Sequence, residues 1–347
     1  MASDDGKKKV PLLFLAITFG VVVALTLVGS FRSQVVQKLA APGSGVIRLC
    51  SAGGRLTAVS ADGKIRSWNW GELSNEPLEI QLNTDKVAVM DGGLVLSVFD
   101  GEYVLVSDLN VADRTRRLAF EPGQRCLLLR ASPAGKYAAA ALSSSVPAGG
   151  IQFAFVEPGF MSVKGIDERV ISSGLSLKDI SISDAGALIA AVGAKAKGWI
   201  VAADTQTGQL LWQLEVGESE GLTVVTFSPD GGMIYAAGLG TCVYGLAADT
   251  GEVVRRFTMD GGQGSARNPQ RVTCIVSSPD GRFIAAGCQP GSKVWLWDTR
   301  MGEPVASIKS GHRTISSVVF SPDGSMLATA DYEKRTPIKI WKVGLLR

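Results

Sequence analysis

A single histidine, His312, serves all 347 residues of this chain. Transition-metal sites draw on clustered His, Cys and carboxylate ligands; no such cluster stands out, so no metal is expected. The same scarcity removes the commonest general base, and no Gly-x-Ser-x-Gly elbow has a usable His partner. The glycine-rich piece Gly261–Gly264 does not lead from a strand into a helix, as a phosphate-binding loop requires. The five cysteines, Cys50, Cys126, Cys242, Cys274 and Cys288, are odd in number and form no CxxC pair. They are expected to be buried thiols, and they leave the compartment open. Charge is also in short supply. Lys and Arg total 35 against 32 Asp and Glu, a net +3, too little for an electrostatic nucleic-acid binder. No paired acid–base carboxylates are visible. The expectation is no catalytic residue, no cofactor and no nucleic-acid partner.

One long apolar run is present. Val10 to Phe31 is free of charge, and as a helix it would reach about 33 Å, enough for a bilayer core of about 30 Å. Lys7, Lys8 and Lys9 precede it, against Arg32 and Lys38 after it, which favours a cytoplasmic N-terminus. The expectation is a short basic tail over residues 1–9 and one transmembrane signal-anchor helix over 10–31. The remainder would then be held at a membrane, outside the cytoplasm, in a periplasmic or luminal space. The alternative is a cleaved signal peptide with its site near Val28-Gly29-Ser30.

The most informative pattern is a repeat. Ser-Pro-Asp-Gly occurs at Ser228–Gly231, Ser278–Gly281 and Ser321–Gly324, and looser versions end at Gly54, Gly93, Gly135 and Gly186. Successive fourth-position glycines lie about 40–50 residues apart, the period of a propeller blade, and there are seven of them. In the Ser-Pro-Asp-Gly turn proline presets φ and glycine accepts a positive φ. A run of small residues follows, as at Met233–Gly238 and Phe283–Gly287. An alternating aromatic strand comes next, as at Ile65–Trp68, Val294–Trp297 and Ile338–Trp341. Asp204–Gly208, Asp249–Gly251 and Asp298–Gly302 then turn the chain into a fourth strand. The chain reads as all-β.

Gly311-His312, Ser321–Gly324 and Ile338–Trp341 in the seventh repeat, with Trp297-Asp298 in the sixth and Leu56–Trp68 in the first, resemble the WD-repeat family. The likeness covers roughly residues 34–343, strongly in repeats one, six and seven and weakly in two to four. It implies a seven-bladed β-propeller domain over residues 34–347. It also implies a structural hydrogen-bond network of His312, Thr329 and Trp341; its Asp member is blurred by the insertion at Tyr332–Pro337. Ala203–Trp212 has a quinoprotein-like flavour, which the same turn-and-strand physics would produce.

The seventh repeat ends at its third strand, and Gln34–Leu39 lies in phase with a fourth. That N-terminal strand is expected to close the ring and to protect its edges. One face, here the bottom, would carry the short turns and look toward the bilayer. The other, the top, would carry the long loops Ser143–Gly150, Ala194–Gly198, Met259–Arg271, Cys288–Lys293 and Asp331–Pro337. Binding favours long loops on a rigid scaffold. These bear Lys195, Lys197, Arg267, Arg271, Lys293, Arg313, Lys334 and Arg335, a mildly basic docking rim for a protein partner. The functional expectation is a non-enzymatic interaction scaffold, a subunit or assembly platform of a membrane complex that touches lipid through residues 10–31. The alternative is a cell-envelope quinoprotein-like enzyme or ligand-binding propeller, which would absorb above 300 nm if it held a quinone or haem.

Overall fold

The computed structural model describes residues 35–39, 43–73, 76–82, 84–110, 115–120, 122–143, 151–157, 160–165, 176–194, 198–216, 221–240, 242–259, 271–302 and 304–343. They form seven four-stranded antiparallel sheets, the blades of one ring. Blade 1 holds β2 (Val46–Ala52), β3 (Arg55–Ser60), β4 (Lys64–Asn69) and β5 (Leu78–Gln81). Blade 2 holds β6 (Val87–Val89), β7 (Leu94–Phe99), β8 (Tyr103–Asp108) and β9 (Thr115–Ala119). Blade 3 holds β10 (Arg125–Ala131), β11 (Ala138–Ser143), β12 (Ile151–Glu157) and β13 (Phe160–Gly165). Blade 4 holds β14 (Ser176–Ile182), β15 (Leu188–Ala194), β16 (Gly198–Asp204) and β17 (Leu210–Val216). Blade 5 holds β18 (Leu222–Phe227), β19 (Met233–Gly238), β20 (Cys242–Ala247) and β21 (Val253–Thr258). Blade 6 holds β22 (Arg271–Ser277), β23 (Phe283–Gln289), β24 (Lys293–Asp298) and β25 (Pro304–Lys309). Blade 7 holds β26 (Ile315–Phe320), β27 (Met326–Asp331) and β28 (Ile338–Lys342), and its fourth strand is β1 (Val35–Leu39). β1 runs antiparallel to β28, with Val35 opposite Trp341 and Leu39 opposite Ile338. The ring is therefore closed by the N-terminal strand.

The serine that leads the turn between first and second strands in blades 4 to 7 has a specific task. Its Oγ accepts a hydrogen bond from the backbone N–H five residues on: Ser228 from Met233 at 2.9 Å, Ser278 from Phe283 at 2.8 Å, Ser321 from Met326 at 2.9 Å, and Ser183 from Leu188 at 3.1 Å. The turn glycines hold positive φ, for example 74° at Gly231, a conformation glycine adopts without a Cβ penalty. Both faces of every blade are covered, so the second strands cannot alternate apolar with polar. In β11, Ala138 and Ala140 pack toward blade 2, while Ala139 and Ala141 pack toward blade 4. Seven apolar cores result, one at each junction between blades. Small residues let neighbouring sheets approach where the ring is narrowest.

Six of the seven inner strands share an irregularity. β2, β10, β14, β18, β22 and β26 each break register at their second or third residue: Ile47, Leu127, Lys178, Thr223, Thr273 and Ser316. A bulge bends the strand and re-aims side chains locally. Here the bulges sit at the top of the central channel.

Two expectations are corrected. The single-pass membrane localisation, with the propeller outside the cytoplasm, is not upheld: among the described residues no helix is long and apolar enough to cross a membrane. The described chain is built from strands of three to seven residues, bounded by turns, and one 3-10 turn at Asp91–Gly93. The helix expected at Val10–Phe31, and the tail before it, lie outside the described residues. The cysteines also differ from expectation. All five are free, but only Cys126 and Cys288 are buried; Cys50, Cys242 and Cys274 are half-buried. Cys50 and Cys274 sit on inner strands, and both line the channel. Cys274 lies opposite Gly287 and Cys288 opposite Val272, so the two thiols are diagonal.

Candidate functional site

Five of the eight basic residues expected at the top rim fall within the described chain; Lys195, Lys197 and Arg267 lie outside it. Arg271, Lys293, Arg313, Lys334 and Arg335 all belong to blades 6 and 7. Strand pairing fixes the place of two of them. Arg271 opens β22 opposite Gln289, and Lys293 opens β24 opposite Lys309. Ser310 ties this edge to the preceding loop, its N–H and Oγ both donating to Ser292 O at 2.9 and 2.8 Å. Arg313 donates from Nη1 to Glu333 Oε1 at 3.2 Å and is 82% exposed. Lys334 and Arg335 follow in the exposed turn to β28.

Three lysines the sequence reading passed over enlarge the sector. Lys309 ends β25, Lys339 lies near the start of β28, and Lys38 stands opposite Lys339 on β1. Lys339 Nζ donates to Ser310 O at 2.6 Å. Burial, with the like charge of Lys38 behind it, pushes the Lys339 ammonium below its ordinary range. Only the closing strand brings Lys38, far away in sequence, to this edge.

Beneath the rim lies the network of blade 7. Trp341 Nε1 donates to Thr329 Oγ1 at 2.9 Å, and Thr329 Oγ1 lies 2.9 Å from His312 Nε2. Donation by the Thr329 hydroxyl to Nε2 requires the imidazole proton on Nδ1, the tautomer that turns its N–H toward Asp331. Nδ1 faces Asp331 Oδ2 at 3.7 Å, too long for a hydrogen bond. That spacing would suit an ion pair, but the imidazole stays neutral. Burial pushes it down to about 4, Lys339 adds to the shift, and Asp331 opposes it. The Asp331 carboxylate is occupied elsewhere. It accepts from the backbone N–H groups of Arg313 at 2.7 Å, Thr314 at 3.3 Å and Glu333 at 3.1 Å. Asp331 thus pins the loop that presents Arg313 and Lys334. The sequence pattern hid it because it ends β27, directly before the insertion.

The central channel holds residues the sequence reading missed. Arg48 of β2 donates from Nη1 to Leu129 O at 3.2 Å and to Val87 O at 3.5 Å, reaching blades 3 and 2. Arg130 of β10 pairs through Nε with Asp179 Oδ1 of β14 at 2.7 Å, and Asp179 Oδ2 accepts from Val225 N at 3.2 Å. Lys86 Nζ donates to Cys126 O at 2.7 Å. Thr223 Oγ1 donates to Val272 O at 3.3 Å, Thr273 Oγ1 to Ile315 O at 2.7 Å, and Leu49 N to Ser317 Oγ at 2.9 Å. Every junction around the ring is therefore crossed by a side-chain hydrogen bond from beside the axis. A charged residue inside an otherwise apolar inner strand was the available signal for Arg48, Arg130 and Asp179.

The bottom mouth has another character. Pro133, Pro229, Pro279 and Pro322, the prolines of four turns, help to line a hollow of about 410 Å³. Among the described residues, no group of three or more His, Cys, Asp or Glu side chains could hold a metal ion.

Comparison with known proteins adds the family context. The family described as outer membrane protein assembly factor BamB matches residues 196–333, less than half of the chain. A guanine nucleotide-binding protein subunit beta of Arabidopsis thaliana is 29% identical over 164 residues, 42% of this chain and 41% of that protein. COMPASS component SWD1 of Saccharomyces cerevisiae is 35% identical over 78 residues, 21% of this chain and 18% of that protein. A periodic tryptophan protein 2 homolog of Schizosaccharomyces pombe is 29% identical over 77 residues, 22% of this chain and 9% of that protein. The chain spans less than half the length of these curated relatives. Among solved structures, the β-propeller domain of Myceliophteria thermophila Cps50 (Swd1) superposes with a TM-score of 0.69 at 14% identity. The superposition covers 90% of this chain and 99% of that one. The WD-repeat β-propeller resemblance is supported. The degenerate repeats keep the turn and the aromatic third strand of that family, while His312 remains the one histidine available for its network.

Proposed function

We propose that this chain is a non-enzymatic WD-repeat scaffold that binds an acidic protein surface through the top of blades 6 and 7. The observation that carries the reading is the charge of that sector. Lys38, Arg271, Lys293, Lys309, Arg313, Lys334, Arg335 and Lys339 converge there, and Asp331 and Glu333 are the acids among them. Asp331 is buried and bonded to three backbone amides, so of the two acids only Glu333 is exposed to a partner. A like-signed patch of this kind steers an oppositely charged partner and fixes its orientation. The names of two relatives, a COMPASS component and a guanine nucleotide-binding protein subunit, describe those proteins as parts of assemblies and support a partner-binding role here. Membership of a membrane complex draws no support from the described residues.

The test is charge reversal. Arg271→Glu, Arg313→Glu, Lys334→Glu and Arg335→Glu together should abolish partner capture by the purified chain, read by quantitative mass spectrometry against the wild type. The melting temperature should barely move, because exposed charges contribute little to folding. Capture by the wild type should fall as salt rises, since screening sets in within about 8 Å at physiological ionic strength. Undiminished, salt-insensitive capture by the quadruple variant would overturn the proposal.

A further inference from the structure

The upper channel encloses a cavity of about 310 Å³ whose wall includes Arg48, Arg130, Asp179 and Ser316, with Tyr332 at its rim. Its charges do not balance. Asp179 is the one carboxylate in that wall, and it is taken by Arg130 Nε at 2.7 Å and Val225 N at 3.2 Å. Arg48 reaches only carbonyl oxygens, both through Nη1. A guanidinium has five N–H donors in a planar fork, so Nε and Nη2 are left without a protein acceptor among the described residues. Burial, and then the like charge of Arg130, push this group down to about 10. A second observation lies in the same wall. Ser316, 8% exposed at the bulge of β26, has an Oγ with no hydrogen-bond partner. A native fold rarely leaves a buried hydroxyl unpaired without reason.

We propose that the upper channel binds a small oxyanion, inorganic phosphate or a short-chain carboxylate, between Arg48 and Arg130. The arginine fork matches the paired oxygens of both anion types. Arg48 supplies its unused N–H donors, the shared charge of the two arginines exceeds that of Asp179 by one, and Ser316 supplies a further donor in the same wall. The cavity of about 310 Å³ has room for phosphate with attendant water. This site is separate from the rim on blades 6 and 7, so either reading can fail while the other stands.

Titration calorimetry of the full chain in low-salt buffer, with inorganic phosphate and with succinate as probes, tests the assignment. One saturating site is expected for at least one of them. Arg48→Leu should weaken it tenfold or more. Asp179→Asn keeps one oxygen, enough for Arg130 Nε but not also for Val225 N, and removes the competing charge; it should tighten binding about tenfold, the shift that about 1.4 kcal/mol produces. That gain keeps the test decisive if Arg48→Leu folds poorly, because a purely structural role for these residues predicts no gain. Arg300→Gln, in the exposed turn after β24, should leave both affinities unchanged. The proposal is overturned if neither probe binds wild type or Asp179→Asn with a Kd below about 1 mM. It is also overturned if a folded Arg48→Leu variant binds either probe as tightly as the wild type.

Discussion

Arg130 of blade 3 and Asp179 of blade 4, 49 residues apart in sequence, meet beside the propeller axis with Nε and Oδ1 2.7 Å apart. The carboxylate extends the contact to a third blade through Val225 N. Asp179→Ala removes the partner of a part-buried guanidinium and orphans an amide, and is expected to destabilise by about 3 kcal/mol. Asp179→Asn should be milder. Arg130→Met combined with Asp179→Leu should recover part of the loss, because neither charge is then stranded. Urea denaturation of these variants, together with the single variants Arg130→Met and Asp179→Leu, checks this; additive single effects would contradict a shared network.

His312 makes the stability of blade 7 depend on pH. Its ordinary value is 6.5, and burial lowers it to about 4 in the fold. Between those limits the unfolded chain holds more protons than the native one. Stability is therefore full above about pH 6.5 and declines as pH falls toward 4, by roughly 3 kcal/mol. Denaturation curves at pH 7, 6, 5 and 4.5 should show the decline for the wild type. His312→Gln should be weaker at pH 7 and flatter over this range.

Ring closure rests on five residues. Deleting residues 1–33 keeps β1, and the propeller should stay folded and monodisperse. Deleting residues 1–39 strips β28 of its partner and leaves a bare edge, a template for pairing with other chains. Size-exclusion chromatography and thermal melts should separate the two truncations; equal behaviour would contradict the strand order of blade 7.

Gly45 marks a close approach at the channel mouth. A Cβ there would collide with the backbone carbonyl of Tyr332. Backbone cannot yield as a flexible side chain can, so Gly45→Ala should cost roughly 2 kcal/mol. It should also displace the Tyr332–Arg335 turn. Weakened partner capture, with blade 1 still folded, is the expected phenotype.

Much of this architecture could be read directly because its causes are local. Ser278, Pro279 and Gly281 define a turn within four residues, and Trp297 and Trp341 mark third strands by their own alternation. The closing strand was legible from phase alone. The channel was not. Arg48 and Leu129 are 81 residues apart, and they meet only because the ring curves and a bulge at Ile47 re-aims the strand. Lys38 joins the basic sector for the same kind of reason, across the closing pair. Cys50 and Cys274 looked like core thiols because inner strands resemble buried ones in composition, although one side of each faces the axis.

The antiparallel pairing of β1 with β28 also sets how the ring yields to force. β1 enters and β28 leaves at the bottom face, where Val35 lies opposite Trp341. Tension on the two ends of the described chain would thus peel the ladder one rung at a time, from Val35 and Trp341 toward Leu39 and Ile338, instead of shearing all rungs together. The molecule has a built-in rip line. Once it opens, the apolar core between blades 7 and 1 and the inner-strand contact between Leu49 N and Ser317 Oγ still hold that junction.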